Sequence, residues 1–528
     1  MKKYLLFTAL WWTIVFDWPF WQNALAFYNG TPSWGFLISL GLALGLATVA
    51  LVRLLAFLPF RVFQLLMIVL TLCGAGAYCG TLLYGVPVTA DMMRNVVATD
   101  MREAAGYLSL KTVAIFLAVS VPPILATLFV AKPIPKVRWR ALKGIGVTLG
   151  ALVLGIGIVA LNFQDGAGFF RGNKPARYYI APFNVMVSTY RTFVQDQSPD
   201  ARKVREVIDA KPEMTVKAER PTLFVLVVGE TTRSANWELN GYARETNPLL
   251  KKMPDIINFQ HATSCGTSTD VSVPCMFSRV GRHNYDRDQI LLEEPLPVVL
   301  QRAGFTIEWI DNQSGCKGAC YNVPERKTTV NDKDCPGGDC FDDVFFSEVE
   351  NAITHVTTAK PTVLILHMMA AHGPAYYKRS TPADKLYTPE CRDADLSSCS
   401  RESIVNAYDN SVRNTDRVLA GLIERLAAAK GYDTALYYIS DHGESLGEDG
   451  LYLHGAPYLL APAVQKEVPM VMWFSPEFAQ DYHVNVDQLR ATAKSGEVSQ
   501  DNLYHTVMGL LGVKGTSYEV KYDLNAKP

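Results

Sequence analysis

The chain has 528 residues and a formal net charge of −1 at pH 7. A chain of this length is too long for one hydrophobic core, so we expect two or more domains. The near-neutral charge gives no indication of nucleic-acid binding. Residues 1–163 are mostly apolar, whereas the remainder has the mixed composition of a soluble α/β domain.

Five apolar runs in the N-terminal region are long enough to cross a bilayer, which takes about 20 helical residues. They are Leu5–Phe27, Trp34–Phe57, Val62–Tyr84, Thr112–Ala131 and Gly144–Phe163. The first run contains Asp17 and several tryptophans, so its limits are the least sharply defined. We predict a transmembrane domain of five helices over residues 1–163.

The basic residues predict the orientation of these helices, because lysine and arginine are enriched in cytoplasmic loops. They lie before the first run, between the second and third, and between the fourth and fifth: Lys2, Lys3, Arg53, Arg61, Lys132, Lys136, Arg138, Arg140 and Lys143. All fall on one side if the N-terminus is cytoplasmic. Five spans then place everything after Phe163 outside the cytoplasm.

The third and fourth runs are joined on that outer side by residues 87–109, which we predict to be a helical loop. Asn95, Thr99 and Glu103 recur every four residues, so one face of a helix would carry all three. A solvated helix face explains this spacing. The functional alternative is a polar patch near the bilayer surface that faces the soluble domain.

Residues 164–217 are predicted to be a bridging segment, followed by the soluble domain at residues 218–528. Within the bridge, Arg177–Val194 mixes aromatic residues with arginine, as in a helix lying in the membrane interface. Asp196–Glu219 is charged and contains two prolines, which indicates an exposed linker.

The soluble domain alternates strand-like and helix-like segments. Predicted strands are Leu223–Val228, Thr306–Ile310, Val363–Leu366, Leu436–Ile439 and Met470–Phe474, and predicted helices are Leu296–Ala303, Ser403–Ala429 and Asn502–Leu511. This alternation predicts a mostly parallel sheet with helices on both faces. In such sheets, ligands bind beyond the carboxyl ends of the strands.

Eight cysteines of the soluble domain form four close pairs, whereas Cys73 and Cys79 lie in an apolar run as small hydrophobic residues. The pairs are Cys265 with Cys275, Cys316 with Cys320, Cys335 with Cys340, and Cys391 with Cys399. Close pairs in a polar domain favour disulfides and an oxidising compartment. Zinc bound by cysteine is the alternative, although no pair has CxxC spacing.

The segment Ser264–Ser278 places small hydroxyl residues between Cys265 and Cys275. A disulfide would hold this flexible composition rigid, and a rigid loop suits a hydroxyl nucleophile, which must be positioned and activated. The alternative is a disulfide-closed surface turn.

Two predicted strands are followed by metal-ligand residues: Leu223–Val228 leads to Glu230, and Leu436–Ile439 leads to Asp441 and His442. Two carboxylates and an imidazole are suitable zinc ligands, with the oxygen of Thr269 available as a fourth. A metal-bound hydroxyl loses its proton more easily than a free one. Taken alone, Glu230 also fits an exposed carboxylate at a strand end.

Further candidates follow the other strands. His372 and His454 suit proton transfer to a leaving oxygen or a second metal, and Lys317 suits a phosphate contact. Turn residues and a solvated lysine are the alternatives. His367 lies deeper in its predicted strand, which favours a structural role.

Five motifs together resemble a known family. They are NVVATDMREA (95–104), VVGETTRSANWELNGYARETNP (227–248), SCGTSTDVSVPCMFS (264–278), HMMAAHGP (367–374) and SDHGESLGEDGLYLHG (440–455). The soluble domain resembles the alkaline phosphatase and sulfatase superfamily. The whole chain resembles the bacterial phosphoethanolamine transferases of the lipid A type, which include the mobile colistin-resistance enzymes.

The resemblance implies five transmembrane helices and a periplasmic α/β/α sandwich domain that binds zinc, in a protein of the bacterial inner membrane. The implied zinc ligands are Glu230, Thr269, Asp441 and His442, with Thr269 as the nucleophile. His372 and His454 match positions near the leaving group or a second zinc. Ser314 and Lys317 match the pocket for the head group, and Asn95, Thr99 and Glu103 match a substrate-binding triad on the membrane side. Gln313 lies where some relatives have asparagine, which leaves its contact with the donor open.

The implied reaction begins with attack of Thr269 on phosphatidylethanolamine, which releases diacylglycerol. The phosphoethanolamine then passes to a phosphate of lipid A, where its amine weakens binding of polymyxins and other cationic peptides. We expect a monomer that contacts membrane lipids and binds no nucleic acid.

Other functions remain as alternatives. Sulfatases need a C/S-x-P-x-R run, and Cys275–Arg279 lacks the proline. A lipoteichoic-acid type of transferase is disfavoured by the paired cysteines and NVVATD. A related transferase acting on a core sugar or a protein, a phosphodiesterase, and a membrane scaffold without catalysis also remain, and metal binding separates the scaffold from the enzymes.

Overall fold

The computed structural model describes the chain except residues 1, 29–31, 100–103, 105–108, 134–137, 163–164, 167–168, 171–172, 196–203, 218, 329–334, 336–339, 394–395 and 527–528. The chain divides into two compact units. The helical unit comprises Met1–Met93 and Leu108–Gln195, and the sheet unit comprises Arg94–Tyr107 and Asp196–Pro528.

Helices α1 to α8 precede the sheet. They are α1 (Lys2–Leu10), α2 (Trp18–Phe27), α3 (Trp34–Leu55), α4 (Phe60–Tyr84), α5 (Ala90–Ala98), α6 (Leu110–Leu125), α7 (Arg138–Leu161) and α8 (Phe183–Tyr190). Among the described residues, four helical stretches are long and apolar enough to cross a membrane: Trp34–Leu55, Phe60–Tyr84, Leu110–Val130 and Gly144–Leu161. They correspond to the second through fifth predicted runs.

The first predicted run is helical but interrupted. Helix α1 continues into a wider helical turn over Trp11–Phe16, and α2 begins only after Asp17. Proline at the start of α2 supplies no backbone N–H to the preceding turn. The buried carboxylate of Asp17 accepts a hydrogen bond from the backbone N–H of Ala181 at 2.8 Å. The break therefore coincides with a tertiary contact that the apolar pattern does not reveal.

The sheet unit contains twelve strands among its described residues. They are β1 (Glu213–Met214), β2 (Thr222–Gly229), β3 (Ile257–Thr263), β4 (Thr306–Asp311), β5 (Glu325–Lys327), β6 (Thr362–His367), β7 (Asp433–Ser440), β8 (Ser445–Glu448), β9 (Leu451–Leu453), β10 (Glu467–Phe474), β11 (Val498–Ser499) and β12 (Val513–Lys514). The five predicted strands correspond to β2, β4, β6, β7 and β10.

Eight of these strands form the main sheet, in the order β11-β3-β10-β7-β2-β6-β4-β5. Strand β10 is antiparallel to both of its neighbours, and the other pairs are parallel. The prediction of a mostly parallel sheet is therefore confirmed. Because β3 and β7 both oppose β10, they run in the same direction and end at the same edge.

Within the described residues of the sheet unit, eight helices follow α8 in the chain. They are α9 (Thr269–Met276), α10 (Arg287–Leu292), α11 (Leu296–Arg302), α12 (Val344–His355), α13 (Arg401–Ala428), α14 (Pro476–Asp481), α15 (Val486–Ser495) and α16 (Asp501–Leu510). Helices α11, α15 and α16 pack with one face of β2, whereas α12 and α13 contact β6 and β7. All eight residues of β2 are buried, as expected for a strand covered on both faces.

The four close cysteine pairs are disulfides, joining Cys265 to Cys275, Cys316 to Cys320, Cys335 to Cys340 and Cys391 to Cys399. The described residues therefore agree with the prediction of disulfides rather than zinc-bound thiolates.

Candidate active site

Three side chains that could bind a metal ion meet at the carboxyl edge of the main sheet. Glu230 follows β2, and Asp441 and His442 follow the neighbouring parallel strand β7. Their ligand atoms all lie within 4.8 Å of one another, and all three side chains are fully buried. The carboxyl ends of two neighbouring parallel strands thus bring Glu230 close to Asp441 and His442, although Glu230 is more than 200 positions away from them in the sequence.

The ring of His442 is oriented so that the lone pair of its Nε2 faces the carboxylates of Glu230 and Asp441. The ring Nδ1 of His442 lies 2.9 Å from the carbonyl oxygen of Gly443, so Nδ1 carries the proton and Nε2 carries a lone pair. Nε2 lies 3.4 Å from Oε1 of Glu230 and 3.3 Å from Oδ2 of Asp441. Three acceptors at these distances require a proton or a cation among them.

The pKa shifts of Glu230, Asp441 and His442 reflect the same close approach of their side chains. Burial raises the pKa of Glu230, but the nearby imidazoles of His442 and His372, in their protonated forms, lower it to about 2. Burial, and then the charge of Glu230, raise the pKa of Asp441 well above its usual value. Burial lowers the pKa of His442 to about 3, so its imidazole is neutral. One divalent cation would let both carboxylates ionise, so the three residues fit a zinc site.

Thr269 lies beside these three side chains as the first residue of α9. Its Oγ1 is 3.3 and 3.4 Å from the carboxylate oxygens of Glu230 and 3.5 Å from Nε2 of His442. The start of a helix presents unpaired N–H groups and favours negative charge. The disulfide from Cys265 to Cys275 closes the loop around Thr269. The predicted nucleophile and the predicted metal ligands therefore form one cluster.

Backbone contacts fix the loops that carry these groups. Oγ1 of Thr267 donates to the carbonyl oxygen of Ala456 at 2.6 Å, and the N–H of Gly455 donates to the carbonyl oxygen of Thr267 at 2.7 Å. A Cβ atom at Gly443 would lie 2.1 Å from the carbonyl oxygen of Val464. Only glycine allows the chain after His442 to pass so close to its neighbour.

The two predicted functional histidines join the cluster. The rings of His442 and His454 have centroids 4.3 Å apart, and those of His454 and His372 are 6.0 Å apart. Nδ1 of His454 lies 3.3 Å from Oε1 of Glu444. His367 instead pairs with fully buried Asp311 at 3.0 Å, which agrees with the structural role that its position suggests.

Gln313, Ser314 and Lys317 share one loop after β4, at the same sheet edge. Nζ of Lys317 donates to Oγ of Ser314 at 2.7 Å, and the N–H of Ser314 donates to Oε1 of Gln313 at 2.8 Å. Oδ1 of Asp311 accepts from the N–H groups of Gln313 and Gly315 at 2.8 and 3.1 Å, which fixes the loop to the strand end. Strand β6 separates this loop from the strand that leads to Glu230.

Asn95 and Thr99 lie in the segment 94–107, which belongs to the sheet unit. Oγ1 and the backbone N–H of Thr99 both donate to the carbonyl oxygen of Asn95, at 2.7 and 2.8 Å. A Cβ atom at Gly455 would lie 3.8 Å from Nδ2 of Asn95, so this amide is next to the loop that carries His454. Glu103 lies outside the described residues.

Sequence reasoning did not identify two buried glutamines that tie the loops together. Nε2 of Gln465 donates to Oγ of Ser445 and to the carbonyl oxygen of Leu453, and its Oε1 accepts from the N–H of Ala456. Gln500 contacts the loops of Cys265 and Asp441. Neither glutamine belongs to a motif, because each acts through the backbone of residues distant in sequence.

Comparison with known proteins covers both units. Residues 46–197 match the family model described as phosphoethanolamine transferase EptA/EptB, and residues 222–513 match the sulfatase model. The chain is 37% identical over 470 residues to phosphoethanolamine transferase EptA of Salmonella typhimurium, covering 87% of this chain and 85% of that protein. It is 34% identical over 514 residues to phosphatidylethanolamine transferase Mcr-2 of Escherichia coli, covering 94% of this chain and 92% of that protein. The solved structure of the integral membrane lipooligosaccharide phosphoethanolamine transferase A from Neisseria meningitidis superposes with a TM-score of 0.93 at 33% identity, covering 100% of this chain and 99% of that chain.

Proposed function

The chain belongs to the phosphoethanolamine transferase family, and from this we propose that it moves phosphoethanolamine from phosphatidylethanolamine to a phosphate group of lipid A. The donor is supported by the name of the Mcr-2 relative, and the acceptor by the lipooligosaccharide in the name of the Neisseria protein. The observation that carries the proposal is the position of Thr269 Oγ1, 3.3 to 3.5 Å from Glu230 and His442.

We propose that Glu230, Asp441, His442 and Oγ1 of Thr269 hold a zinc ion. Zinc bound there would lower the pKa of the threonine hydroxyl and offset negative charge on the phosphoryl group. Glu230 and Asp441 contribute carboxylates, and His442 contributes the lone pair of Nε2 because its Nδ1 donates to Gly443.

In the first step, Oγ1 of Thr269 attacks the phosphorus of the donor. A bond forms between Oγ1 and phosphorus, and the bond from phosphorus to the glycerol oxygen breaks, so diacylglycerol leaves. The proton released from Oγ1 passes through His372 or His454 to the leaving oxygen, and the positive end of the α9 helix dipole favours the phosphoryl charge. The product is phosphoethanolamine esterified to Thr269.

In the second step, a phosphate oxygen of the acceptor attacks the same phosphorus. The bond to Oγ1 breaks, and a proton from the acceptor phosphate reaches Oγ1 of Thr269 through the same histidines. Ser314 and Lys317 hold the head group, with Gln313 as a further contact, and Asn95, Thr99 and Glu103 contact the lipid substrates from the membrane side. The added amine reduces the negative charge of lipid A, which lowers affinity for polymyxins.

We also propose a location and a domain division. Four apolar helical stretches support a multi-pass protein of the bacterial inner membrane, and the disulfides support a periplasmic sheet unit. The membrane domain is assigned to residues 1–163, the bridge to 164–217 and the catalytic domain to 218–528.

The proposal is tested with purified full-length protein in detergent and phosphatidylethanolamine labelled in its ethanolamine. We expect the label to appear on lipid A, with one diacylglycerol released per transfer, and no label on dephosphorylated lipid A. Release of the label as free phosphoethanolamine, whatever the acceptor, would indicate a phosphodiesterase instead. Label on a core sugar or a protein, and none on lipid A, would show that the acceptor is wrong.

A further inference from the structure

The side chain of Gln500 is a buried amide located between the loop that carries Thr269 and the loop that carries Asp441. It lies between β11 and α16, and its side chain is 1% exposed. Its backbone N–H donates to the carbonyl oxygen of Thr263 at 2.9 Å, at the end of β3. The residue is thus anchored beside the strand that leads to the nucleophile loop.

The side-chain amide of Gln500 makes three hydrogen bonds to two loops. Its Oε1 accepts from the backbone N–H of Cys265 at 2.6 Å. Its Nε2 donates to the carbonyl oxygens of Ser440 and Asp441 at 2.8 and 2.7 Å. One side chain therefore connects the start of the Thr269 loop to the loop that carries the ligand carboxylate.

The sheet itself cannot make this connection. Strands β10 and β7 pair from Phe474 opposite Ala435 to Met470 opposite Ile439, and β10 then shifts its register toward β3. Ser440 and Asp441 lie beyond this pairing. Their carbonyl groups are buried, and a buried carbonyl needs a donor. The Nε2 group of Gln500 supplies it where the ladder ends.

We infer that Gln500 is a positioning residue, which sets the distance between Thr269 and the metal-ligand group. It acts through the backbones of Cys265 and Asp441 and contacts neither the donor nor the acceptor. Misplacing a reacting atom by about 1 Å can cost about 100-fold in rate. Loss of the Gln500 amide therefore lowers kcat, whereas KM for phosphatidylethanolamine stays the same. The inference rests on the proposed transfer reaction.

The chemistry of the amide determines which variants are informative. Gln500→Met keeps the length of the side chain and removes all three hydrogen bonds. Gln500→Asn keeps the amide but shortens it by one methylene, so it cannot reach both loops. It serves as the second variant, and it carries the test alone if Gln500→Met does not fold.

Asn410→Leu is the matched control. Asn410 is also fully buried, and its amide makes four hydrogen bonds, to the N–H groups of Leu386 and Tyr387, the carbonyl oxygen of Tyr387 and the carboxylate of Glu390. It joins α13 to the loop at 386–390, and within the part of the chain that the structure describes its hydrogen bonds go to none of the site residues. Both substitutions remove a buried amide, so both should lower thermal stability.

The experiment uses the full-length protein in detergent, with kcat, KM for phosphatidylethanolamine and thermal midpoint measured for each variant. A second readout is the visible absorption of Co²⁺ bound in place of zinc, which reports ligand geometry without catalysis. We expect Gln500→Met to lower kcat by about 10- to 100-fold, to leave KM within twofold and to alter the Co²⁺ spectrum. Asn410→Leu should keep kcat and the spectrum of the wild type.

Two results would overturn the inference. One is a wild-type kcat and Co²⁺ spectrum in both Gln500 variants. The other is an equal loss of kcat in Gln500→Met and Asn410→Leu, which would show that general destabilisation is the cause. A wild-type protein without transfer would contradict the proposed reaction instead, and the Co²⁺ spectra would still decide whether Gln500 shapes the metal group.

Discussion

The helical unit exposes many apolar side chains, whereas the sheet unit buries a cluster of polar and charged ones. In α7, Val153 is 70% exposed, although it is apolar. In the sheet unit, Glu230, Asp441 and His442 are fully buried, although they are polar. A bilayer accepts exposed apolar side chains, because each helix satisfies its own backbone groups. A buried polar cluster persists only where partners from distant parts of the chain surround it.

The helical unit therefore depends on local sequence, whereas the site of the sheet unit depends on residues that are far apart in the chain. A membrane helix follows from about 20 consecutive residues. The site depends on loops after β2, β3 and β7, which are far apart along the chain. Substitutions should therefore act locally in the helical unit and through distant partners in the sheet unit.

The largest effect is expected from Thr269→Ala, which removes the hydroxyl proposed as the nucleophile and no core volume. We predict that transfer falls at least about 10³-fold, because a covalent step has no substitute group at that position. The matched control is Thr263→Ala, since among the described residues the Thr263 hydroxyl makes one long hydrogen bond, to the carbonyl oxygen of Val498 at 3.4 Å. The measurement is turnover of labelled phosphatidylethanolamine. Substantial residual turnover in Thr269→Ala would show that Thr269 is not the nucleophile.

Metal removal should have nearly the same effect. We predict that chelation abolishes transfer, that added zinc restores it, and that Glu230→Gln lowers both zinc content and activity. Glu519→Gln is the control, because Glu519 pairs with Lys521 and is 42% exposed. Zinc content by elemental analysis and turnover are measured on the same samples. Full activity in metal-free protein would contradict the metal assignment.

Two arginine substitutions, one in each unit, would test the contrast between the units directly. Val153 lies near the middle of the stretch Gly144–Leu161, so Val153→Arg should cost about 2.5–3.5 kcal/mol of membrane insertion. Leu459 of the sheet unit is 91% exposed, so Leu459→Arg should change stability by less than about 0.5 kcal/mol. Insertion assays and thermal unfolding provide the two measurements. Similar tolerance of arginine at both positions would mean that the α7 face does not contact lipid.

The smallest effect on activity is expected from the disulfide next to Thr269. Replacing Cys265 and Cys275 by serine should cost about 2–3 kcal/mol of stability and lower activity by loosening the nucleophile loop. The disulfide between Cys391 and Cys399 closes a loop of similar length elsewhere. The matched double substitution of these two cysteines by serine should therefore lower stability without lowering activity. Unchanged activity and thermal midpoint in the first variant would show that its disulfide is dispensable.

Much of the fold can be predicted because its elements have local patterns. The strands β2, β4, β6, β7 and β10 are apolar runs, and the structure extends each prediction by one to four residues. Strand β3 is not predicted from the sequence, because Asn258, Gln260 and His261 interrupt its apolar residues and it has no continuous apolar run. Helix α9 is not predicted either, because it is short and contains Pro274, and the disulfide and the packing around Thr269 hold it in place.

The site is predictable to the extent that it obeys the sheet rule. Glu230, Asp441 and His442 follow apolar strands, and neighbouring parallel strands bring them together. Gln500 cannot be predicted in this way, because its role depends on where the pairing of β10 with β7 ends. That point is set by register and not by any local pattern.

The central claim is that Thr269 carries the phosphoethanolamine between donor and acceptor. The most direct test is the intact mass of the full-length protein after incubation with phosphatidylethanolamine alone, followed by peptide mapping. We expect a phosphoethanolamine adduct on the peptide that contains Thr269, and no adduct in Thr269→Ala. An adduct on another residue, or diacylglycerol release by Thr269→Ala at the wild-type rate, would contradict it.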